Sequence, residues 1–282
     1  PLASRVNPPI RRPRRVLIAG CGDLGGRLAR LLLAAGDEVF GLRRNVASLP
    51  PGVQPVAADL FDPHSLQRLP EAIDAVICTM TPASRDAAGY RRAYIEAPLN
   101  LVQALLPASP RWLFVSSTAV YAGDDGRWID DDSPATADSF NGQLLLEAER
   151  SLAALVPHFL ALRLAGIYGP GRRMMLRRAA SGQPAKPHWG NRIHADDAAA
   201  AIAFALDRPS LEGAMIVSDG APAREDVVLA WLAERLGCPP PSLQGAPESG
   251  RRIAPKRLFA AGFVPNYPDF RLGYSSLLQE TE

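Results

Sequence analysis

The chain has 282 residues, 47% of them hydrophobic, which is enough for one large two-lobed domain or for two small domains. Its 31 basic and 29 acidic residues leave a net charge of only +2, so no field of one sign dominates the surface. This balance argues against a dedicated nucleic-acid-binding protein.

The three cysteines, Cys21, Cys78 and Cys238, are far apart in the sequence. They form no C-x-x-C pair and have no clustered histidines, so we expect no metal site and a reducing, cytoplasmic setting. No apolar run approaches the roughly 18 residues that span a membrane, so we expect no membrane partner. Residues 1–13 lack the apolar core of a signal peptide and are predicted to be a disordered tail; a nucleic-acid-binding arm is the alternative.

Short apolar runs alternate with helical patterns over residues 14–166. The predicted strands cover residues 14–20, 37–44, 53–59, 74–80, 111–117 and 158–166. The predicted helices cover residues 24–36, 84–106 and 139–156. Because parallel strands need helical crossovers, the pattern predicts an α/β protein with a doubly wound parallel sheet, the Rossmann fold.

After residue 166 the pattern becomes irregular and rich in Gly and Pro. Helices are still predicted over residues 195–207 and 224–236, and a strand over 214–219. We assign residues 14–166 to a dinucleotide-binding Rossmann domain to which 193–219 adds. A smaller C-terminal substrate lobe takes residues 167–192 and 220–282.

Gly20, Gly22 and Gly25 stand in G-x-G-x-x-G spacing, with Asp23 and Leu24 between the last two. The motif follows the first strand and opens the first helix, where glycines permit a tight turn and a close approach to a pyrophosphate. The unpaired N–H groups of the helix N-terminus then face the phosphate oxygens. A dinucleotide site is predicted; an ordinary structural turn is the alternative.

The second predicted strand ends in Arg43 and Arg44, where NAD-selective chains carry an acid for the ribose 2′-hydroxyl. Guanidinium groups at this position favour a 2′-phosphate through charge-assisted hydrogen bonds. The cofactor is therefore predicted to be NADP(H). The alternative is that both arginines are simply solvated.

The chain resembles the extended short-chain dehydrogenase/reductase family, in particular atypical members of its NAD(P)-dependent epimerase/dehydratase branch. The resemblance extends over residues 14–280. It rests on GCGDLGG (20–26), AADL (57–60), FVSSTAVYA (114–122), LRLAGIYGPGR (162–172), NRIHADD (191–197) and a closing segment over 255–274.

The resemblance implies roles for residues at the ends of the strands. Asp59 and Leu60 would lie beside the adenine, and Ser117 would match the active-site Ser/Thr of the family. Thr79, Met80 and Thr81 would line the cofactor near its ribose, and Ser116 is the remaining implied cofactor-binding residue. Alternatively, Asp59 caps the following helix and the two threonines are turn residues.

The family also uses a Tyr and a Lys, four residues apart on one helix face, for proton transfer and for holding the nicotinamide ribose. In TADSFNGQLLLE, Phe140 takes the Tyr position and Leu144 the Lys position. A shifted register does not restore the pair, because the only lysines, Lys186 and Lys256, have no Tyr four residues before them. A phenyl ring has no proton to donate.

Three interpretations follow from this substitution. In the first, the chain is an oxidoreductase- or epimerase-like enzyme whose acid is Tyr121, Tyr168 or a water held by Ser117; both tyrosines have packing roles as alternatives. In the second, it binds NADP(H) without turnover, as a redox sensor or scaffold. In the third, it is a structural dimer unit.

The predicted helix over 84–106 carries one apolar stripe, at spacings of three and four residues. The stripe consists of Tyr90, Tyr94, Ala97, Leu101 and Leu105. It predicts a homodimer contact, with packing on the chain's own sheet as the alternative. Pro98 is expected to kink or interrupt the helix.

The variable segments 167–192 and 220–250 are expected to form the pocket for a small-molecule substrate. Arg172, Arg173 and Arg177 favour an anionic one. His194, Asp196 and Asp197 have the composition of a metal site, but their position before an Ala-rich run predicts a helix start instead.

Overall fold

The computed structural model describes residues 12–245 and 247–279. Its centre is a seven-stranded parallel sheet in the order β11-β7-β5-β4-β1-β2-β3. These strands are β1 Arg15–Ala19, β2 Glu38–Arg43, β3 Gln54–Ala57, β4 Ala75–Cys78, β5 Arg111–Ser117, β7 Phe159–Leu164 and β11 Gly213–Val217. The predicted α/β Rossmann fold is confirmed, with β11 as a seventh strand beside β7.

Nine α-helices are formed by the described residues. They are α1 Asp23–Ala34, α2 Ala87–Arg91, α3 Ala97–Leu105, α4 Phe140–Leu155, α5 Met174–Ala180, α6 Ala195–Leu206, α7 Glu225–Arg235, α8 Lys256–Ala260 and α9 Phe270–Gln279. Most of the predicted helices and strands are shorter here by one or a few residues at each end, as expected for element boundaries.

The sheet separates two apolar cores, one on each face. Along β5, Trp112 and Phe114 point into one core and Leu113 into the other, as the two-residue period of a strand requires. Helices α3 and α4 cover the first core, and α1 and α6 cover the second. Both faces of the sheet are therefore buried, as parallel sheets demand.

Short strands and three helices form the region beside the carboxyl ends of β7 and β11. The short strands are β6 Trp128–Ile129, β8 Gly166–Tyr168, β9 His188–Gly190, β10 Arg192–His194, β12 Ala223–Arg224, β13 Ser249–Gly250 and β14 Arg252–Ile253. A third apolar cluster joins α5, α7 and α9 through Met175, Leu229 and Tyr274. The predicted division into domain and lobe stays an interpretation of this arrangement.

The predicted helix over 84–106 is confirmed over residues 87–105, with a π-helical turn within it. Helix α2 passes directly into a π-helical turn over Arg92–Glu96 and then into α3, and Pro98 is the second residue of α3. Ala97, Leu101 and Leu105 are buried in the chain's own core, so the predicted stripe is not a free surface. The homodimer stays a prediction without this support.

The predicted disordered tail over residues 1–13 falls mostly outside the described residues. Arg12 is described, and its guanidinium pairs with Asp74 at 2.8 Å.

Candidate functional site

The glycine-rich loop joins β1 to α1 at the carboxyl edge of the sheet. Gly20 has a φ of +79°, and a Cβ added there would lie 2.7 Å from Met80 Cγ, so only glycine fits. A Cβ on Gly25 would lie 2.8 Å from Thr79 Oγ1, so that glycine permits close packing of α1 on the sheet. At Gly22, only the Gly20 carbonyl oxygen, 3.8 Å away, lies within 4 Å of an added Cβ. The loop is thus open where a pyrophosphate would approach its backbone.

Arg43 lies against this loop from the end of β2. Its Nη1 donates to the Cys21 carbonyl oxygen at 3.1 Å, while Arg44 is exposed one residue further on. Burial raises the pKa of the Cys21 thiol, and the nearby Arg43 opposes that rise. The loop and the first guanidinium therefore form one surface suited to a phosphate group.

The predicted ribose contacts, Thr79 to Thr81, differ in exposure. Thr79 is buried, and its Oγ1 donates to the Gly20 carbonyl oxygen at 3.0 Å. Met80 is half-buried against Gly20, and Thr81 is exposed. Thr79 therefore fixes the shape of the glycine loop from behind, and the role of all three beside a ribose stays a prediction.

Asp59 and Leu60 lie in the turn after β3. Asp59 Oδ1 accepts a hydrogen bond from the Phe61 N–H at 3.0 Å, which closes an Asx turn. Leu60 is buried, and its carbonyl oxygen accepts from Asn100 Nδ2 at 2.8 Å. These two hydrogen bonds hold the turn in place; its contact with an adenine stays a prediction.

Ser116 belongs to a buried polar network between β5, β7 and α4. Its Oγ donates to Glu149 Oε1 at 2.6 Å, and Glu149 Oε2 accepts from Arg163 Nη2 at 2.6 Å. Arg163 Nη1 in turn donates to the Tyr121 hydroxyl oxygen at 2.9 Å. Burial raises the pKa of Tyr121, which is only 1% exposed. The hydroxyl of Tyr121 is thus engaged within the core and does not face an open crevice.

The hydroxyl groups of Ser117 and Tyr168 differ in burial and in hydrogen bonding. Ser117 is half-buried at the carboxyl end of β5, and its Oγ accepts from the Ala119 N–H at 3.2 Å. Tyr168 is 4% exposed, and its hydroxyl donates to the Asp269 carbonyl oxygen at 3.4 Å. Burial raises the pKa of Tyr168 above its ordinary value. Of these two hydroxyls, that of Ser117 is the more accessible.

Phe140 and Leu144 lie on the first turns of α4. Phe140 is 47% exposed, with its ring edge against Tyr90 at a centroid distance of 5.5 Å. Leu144 is buried in the apolar core. Neither side chain offers a proton or a positive charge at this end of the sheet.

A cavity of about 400 Å³ lies between β8, β9, β10 and α5. We call it the arginine pocket, because its walls include Arg172, Arg173, Arg177, Arg178 and Arg192. Tyr168, Met174, Met175 and Tyr274 supply apolar surface, and Glu225 is the one carboxylate among the described lining residues. The volume falls in the range of small-molecule sites.

Two of these arginines are held by other polar groups around the pocket. Arg178 donates to both carboxylate oxygens of Glu225 at 2.7 Å, and this ion pair lowers the pKa of Glu225. Arg192, which is buried, donates to the carbonyl oxygens of Gly190 and Ala223 at 3.0 Å each. These contacts hold both side chains in place.

Arg172 connects the arginine pocket with the glycine-rich loop. Its Nε donates to Asp23 Oδ2 at 3.1 Å, and Asp23 is the first residue of α1. Asp23 also accepts from Arg27 at 3.0 Å, and Arg27 pairs with Asp196 at 2.5 Å. This chain of ion pairs places the pocket beside the candidate cofactor loop.

Asp219 is a buried acid near the pocket, just after β11. Its Oδ1 accepts from the Ala221 N–H at 2.9 Å, and its Oδ2 has no hydrogen-bond partner among the described residues. Burial raises its pKa to about 7, although Arg192 opposes the rise. It also acts on Tyr168, whose pKa it raises further.

His194, Asp196 and Asp197 lie at the start of α6, as predicted. Asp197 is buried, and its two oxygens accept from the backbone N–H groups of Asn266 and Tyr267 at 2.9 and 2.8 Å. Within the part of the chain that the structure describes, no group of His, Cys, Asp and Glu is arranged to hold a metal ion. No helix in that part is long and apolar enough to cross a membrane.

Comparison with known proteins places this geometry in a family. The model of the NAD-dependent epimerase/dehydratase family matches residues 16–217, from β1 to the end of β11. The chain belongs to that family. The glycine-rich loop, Arg43 and Ser117 all lie within the matched residues.

Individual relatives agree with this assignment. Protein YeeZ of Escherichia coli strain K12 is 32% identical over 275 residues, which cover 91% of this chain and 97% of YeeZ. A Methylobacillus flagellatus structure, provisionally assigned to the NAD-dependent epimerases/dehydratases, is 39% identical with a TM-score of 0.83; the match covers 96% of this chain and 99% of that one. MoeE5, solved with UDP-glucose and NAD, shares the fold at 22% identity and a TM-score of 0.78, over 95% and 98% of the two chains.

Sequence reasoning did not find the buried network or the full wall of the arginine pocket. A signal for the network existed, because Glu149 falls on the apolar face of α4 and Arg163 stands within the apolar strand LALRL. An acid and a base at such positions indicate a buried pair. Arg192 and Glu225 join the pocket through folding alone, and the sequence carries no comparable signal for them.

Proposed function

We propose that the chain is an NADP(H)-dependent oxidoreductase or epimerase-like enzyme acting on a small molecule, without the Tyr-x-x-x-Lys pair of its relatives. The observation that carries this proposal is the position of Arg172. One guanidinium lies in the wall of the arginine pocket and also pairs with Asp23 at the glycine-rich loop. A cofactor site and a second ligand site that share a wall favour a reaction between their ligands.

The loop supplies the backbone surface for the cofactor. The open approach at Gly22 fits a pyrophosphate, and Arg43 with Arg44 would hold the 2′-phosphate that distinguishes NADP(H) from NAD(H). When bound, NADP(H) supplies or accepts a hydride. The half-buried Ser117 hydroxyl would orient the carbonyl oxygen of a substrate.

Proton transfer is assigned to a water held by Ser117. The Tyr121 hydroxyl oxygen accepts from Arg163 within the core network, and the Tyr168 hydroxyl donates to a backbone carbonyl, so each would have to leave its partner to act as an acid. Burial raises the pKa of both tyrosines, so each is a weaker acid than a solvated tyrosine. Tyr121 and Tyr168 are the next candidates for the proton donor.

A non-catalytic NADP(H)-binding sensor or scaffold is the second candidate function. Phe140 and Leu144 favour it, because neither can replace the Tyr and the Lys.

We also propose a cytoplasmic homodimer. The free thiols of Cys21, Cys78 and Cys238 support the reducing compartment.

Isotope transfer distinguishes the two functions. The protein would be incubated with NADPH carrying deuterium at C4 and with a panel of aldehydes and ketones, with and without phosphate groups, and the products analysed by mass spectrometry. The enzyme proposal expects deuterium in a product and a lower rate for Ser117→Ala. Ser276→Ala is the matched control, since its hydroxyl donates to the Gly273 carbonyl oxygen within α9.

Phe140→Tyr adds a second readout. Because Phe140 is 47% exposed, we expect its ring to take a hydroxyl without repacking, and a positioned acid typically contributes about a hundred- to ten-thousandfold in rate. A faster transfer by this variant supports the enzyme. Tight NADPH binding with no transfer by either protein would select the sensor.

A further inference from the structure

Helix α1 carries a carboxylate where the cofactor is expected to bring negative charge. Asp23 is the first residue of α1, directly after Gly22, and its side chain is 45% exposed. The N-terminus of a helix attracts an anion through its N–H groups and its dipole, and a carboxylate in the same first turn competes with that anion. An unneutralised Asp23 would therefore oppose the binding of a pyrophosphate at the glycine-rich loop.

Two guanidinium groups neutralise this carboxylate, one at each oxygen. Arg27, one turn further along α1, donates from Nε to Asp23 Oδ1 at 3.0 Å. Arg172 donates from Nε to Asp23 Oδ2 at 3.1 Å. Because both oxygens already accept from cations, the carboxylate does not depend on the N–H groups of the loop for its hydrogen bonds.

Arg27 also pairs with a second acid, at the start of α6. Its Nη1 donates to Asp196 Oδ1 at 2.5 Å, and Asp196 lies in the first turn of α6. The side chain of Arg27 is 19% exposed, against 45% and 47% for the two acids, so the guanidinium is the most buried part of this cluster. The charges of the two acids cancel those of Arg27 and Arg172. The partial positive charge at the N-terminus of α1 then stays available to a ligand.

We propose that Arg27 is a positioning residue for the dinucleotide, which it favours by neutralising and holding the Asp23 carboxylate at the start of α1. The inference rests on the proposed cofactor site, and it gives Arg27 no contact with the cofactor. NADPH and NADH share the pyrophosphate, so Arg27 should influence the affinity for both equally. Arg43 and Arg44, in contrast, are proposed to act on the 2′-phosphate of NADPH alone.

Calorimetric titration with NADPH and with NADH tests this role. The proteins compared are the wild type, Arg27→Gln, Asp23→Asn, the double variant of these two, and Arg150→Gln. Arg150 is the matched control, because it is exposed and its Nε donates to the carbonyl oxygen of Leu146, four residues earlier in α4. We expect Arg27→Gln to weaken the binding of both cofactors about threefold or more, and Arg150→Gln to leave it unchanged.

The two variants of Asp23 separate an electrostatic role from a structural one. Asp23→Asn alone should strengthen the binding of both cofactors, because Arg27 and Arg172 then lack a counter-charge. The double variant should bind both like the wild type, since the repelling carboxylate is gone. A variant that only disturbed the packing of α1 would not recover its affinity in this way, and thermal melting of each protein reports such a disturbance.

Three results would overturn the proposal: equal affinities in Arg27→Gln and Arg150→Gln, no recovery in the double variant, or weaker binding by Asp23→Asn. The last comparison decides the matter even if Arg27→Gln does not fold. If the wild type binds neither NADPH nor NADH, the proposed function fails and the positioning role fails with it. If the wild type binds both and Arg27→Gln binds them equally well, only the positioning role is overturned.

Discussion

A buried ion pair lies in the interior near the carboxyl ends of β5 and β7. Glu149 and Arg163 are both nearly inaccessible, and each satisfies a second residue, Ser116 or Tyr121. Removing one member of a buried pair leaves an uncompensated charge, which typically costs about 3 to 5 kcal/mol. The network therefore holds the strand ends on which Ser117 depends.

Glu149→Gln should accordingly lower the free energy of unfolding by roughly 3 kcal/mol, measured by urea denaturation. Glu147→Gln is the matched control, two residues away in α4, because Glu147 forms an exposed pair with Arg91. We expect little change for the control. An equal loss of unfolding free energy in both variants would mean that the buried pair with Arg163 stabilises the fold no more than the exposed pair with Arg91.

Asp219 predicts a pH dependence of stability. Its pKa is about 7 in the folded chain and about 3.8 when solvated, so the folded state binds the proton more tightly. Its contribution is complete below pH 3.8 and is lost as the pH rises to about 7, by up to about 4 kcal/mol. Asp219→Asn should therefore flatten this decline and stabilise the chain at pH 8.

Urea denaturation at pH 5 and pH 8 measures this effect for the wild type and for Asp219→Asn. The exposed Asp132→Asn serves as the control. An unchanged difference between the two pH values in Asp219→Asn would show that Asp219 does not hold its proton in the folded chain.

At the scale of elements, the loop between β1 and α1 contains one glycine that the fold requires and another that ligand binding is expected to require. Gly20→Ala meets both a positive φ and the Met80 backbone, so it should destabilise the fold by about 2 kcal/mol or more. Gly22→Ala meets no atom closer than 3.8 Å and should change the melting temperature less.

Gly22→Ala should nevertheless weaken NADPH binding at least about tenfold, because its methyl group would occupy the path of the pyrophosphate. Fluorescence titration with NADPH and thermal melting of both variants provide the measurements. If Gly22→Ala bound NADPH like the wild type, the pyrophosphate would not lie over this loop.

The elements could be predicted from local patterns where those patterns are strong. Apolar runs such as RVLIA and RWLFVSS, each followed by a helical period, are enough to predict the parallel sheet and the glycine-rich loop. The π-helical turn between α2 and α3 could not be predicted in detail, because apolar residues at spacings of three and four fit an uninterrupted α-helix equally well.

The site was predictable only where it follows the chain locally. Gly20, Gly22 and Arg43 are recognised by their place after a strand. The arginine pocket brings Arg172 near Asp23 across 149 residues, and which of its arginines are neutralised depends on partners such as Glu225. Such pairings require the tertiary fold.

At the scale of the whole molecule, a nearly neutral chain concentrates positive charge at two neighbouring places. The net charge is +2, yet Arg43 lies against the glycine-rich loop with Arg44 exposed beside it in sequence, and five arginines line the pocket. The fold thus creates a locally cationic crevice at the carboxyl edge of the sheet, where open α/β sheets bind their ligands. The proposed cofactor is an anion, and the arginines of the pocket favour an anionic substrate.

Calorimetric titration of the wild-type protein with NADPH and with NADH, at one ionic strength, tests the central claim most directly. The 2′-phosphate contacts of Arg43 and Arg44 should make NADPH bind more tightly by roughly 1.5 to 3 kcal/mol, or about ten- to hundredfold. Arg43→Gln with Arg44→Gln should remove that preference and leave NADH affinity unchanged. Equal affinity of the wild type for NADPH and NADH, or no binding of either, would contradict the account.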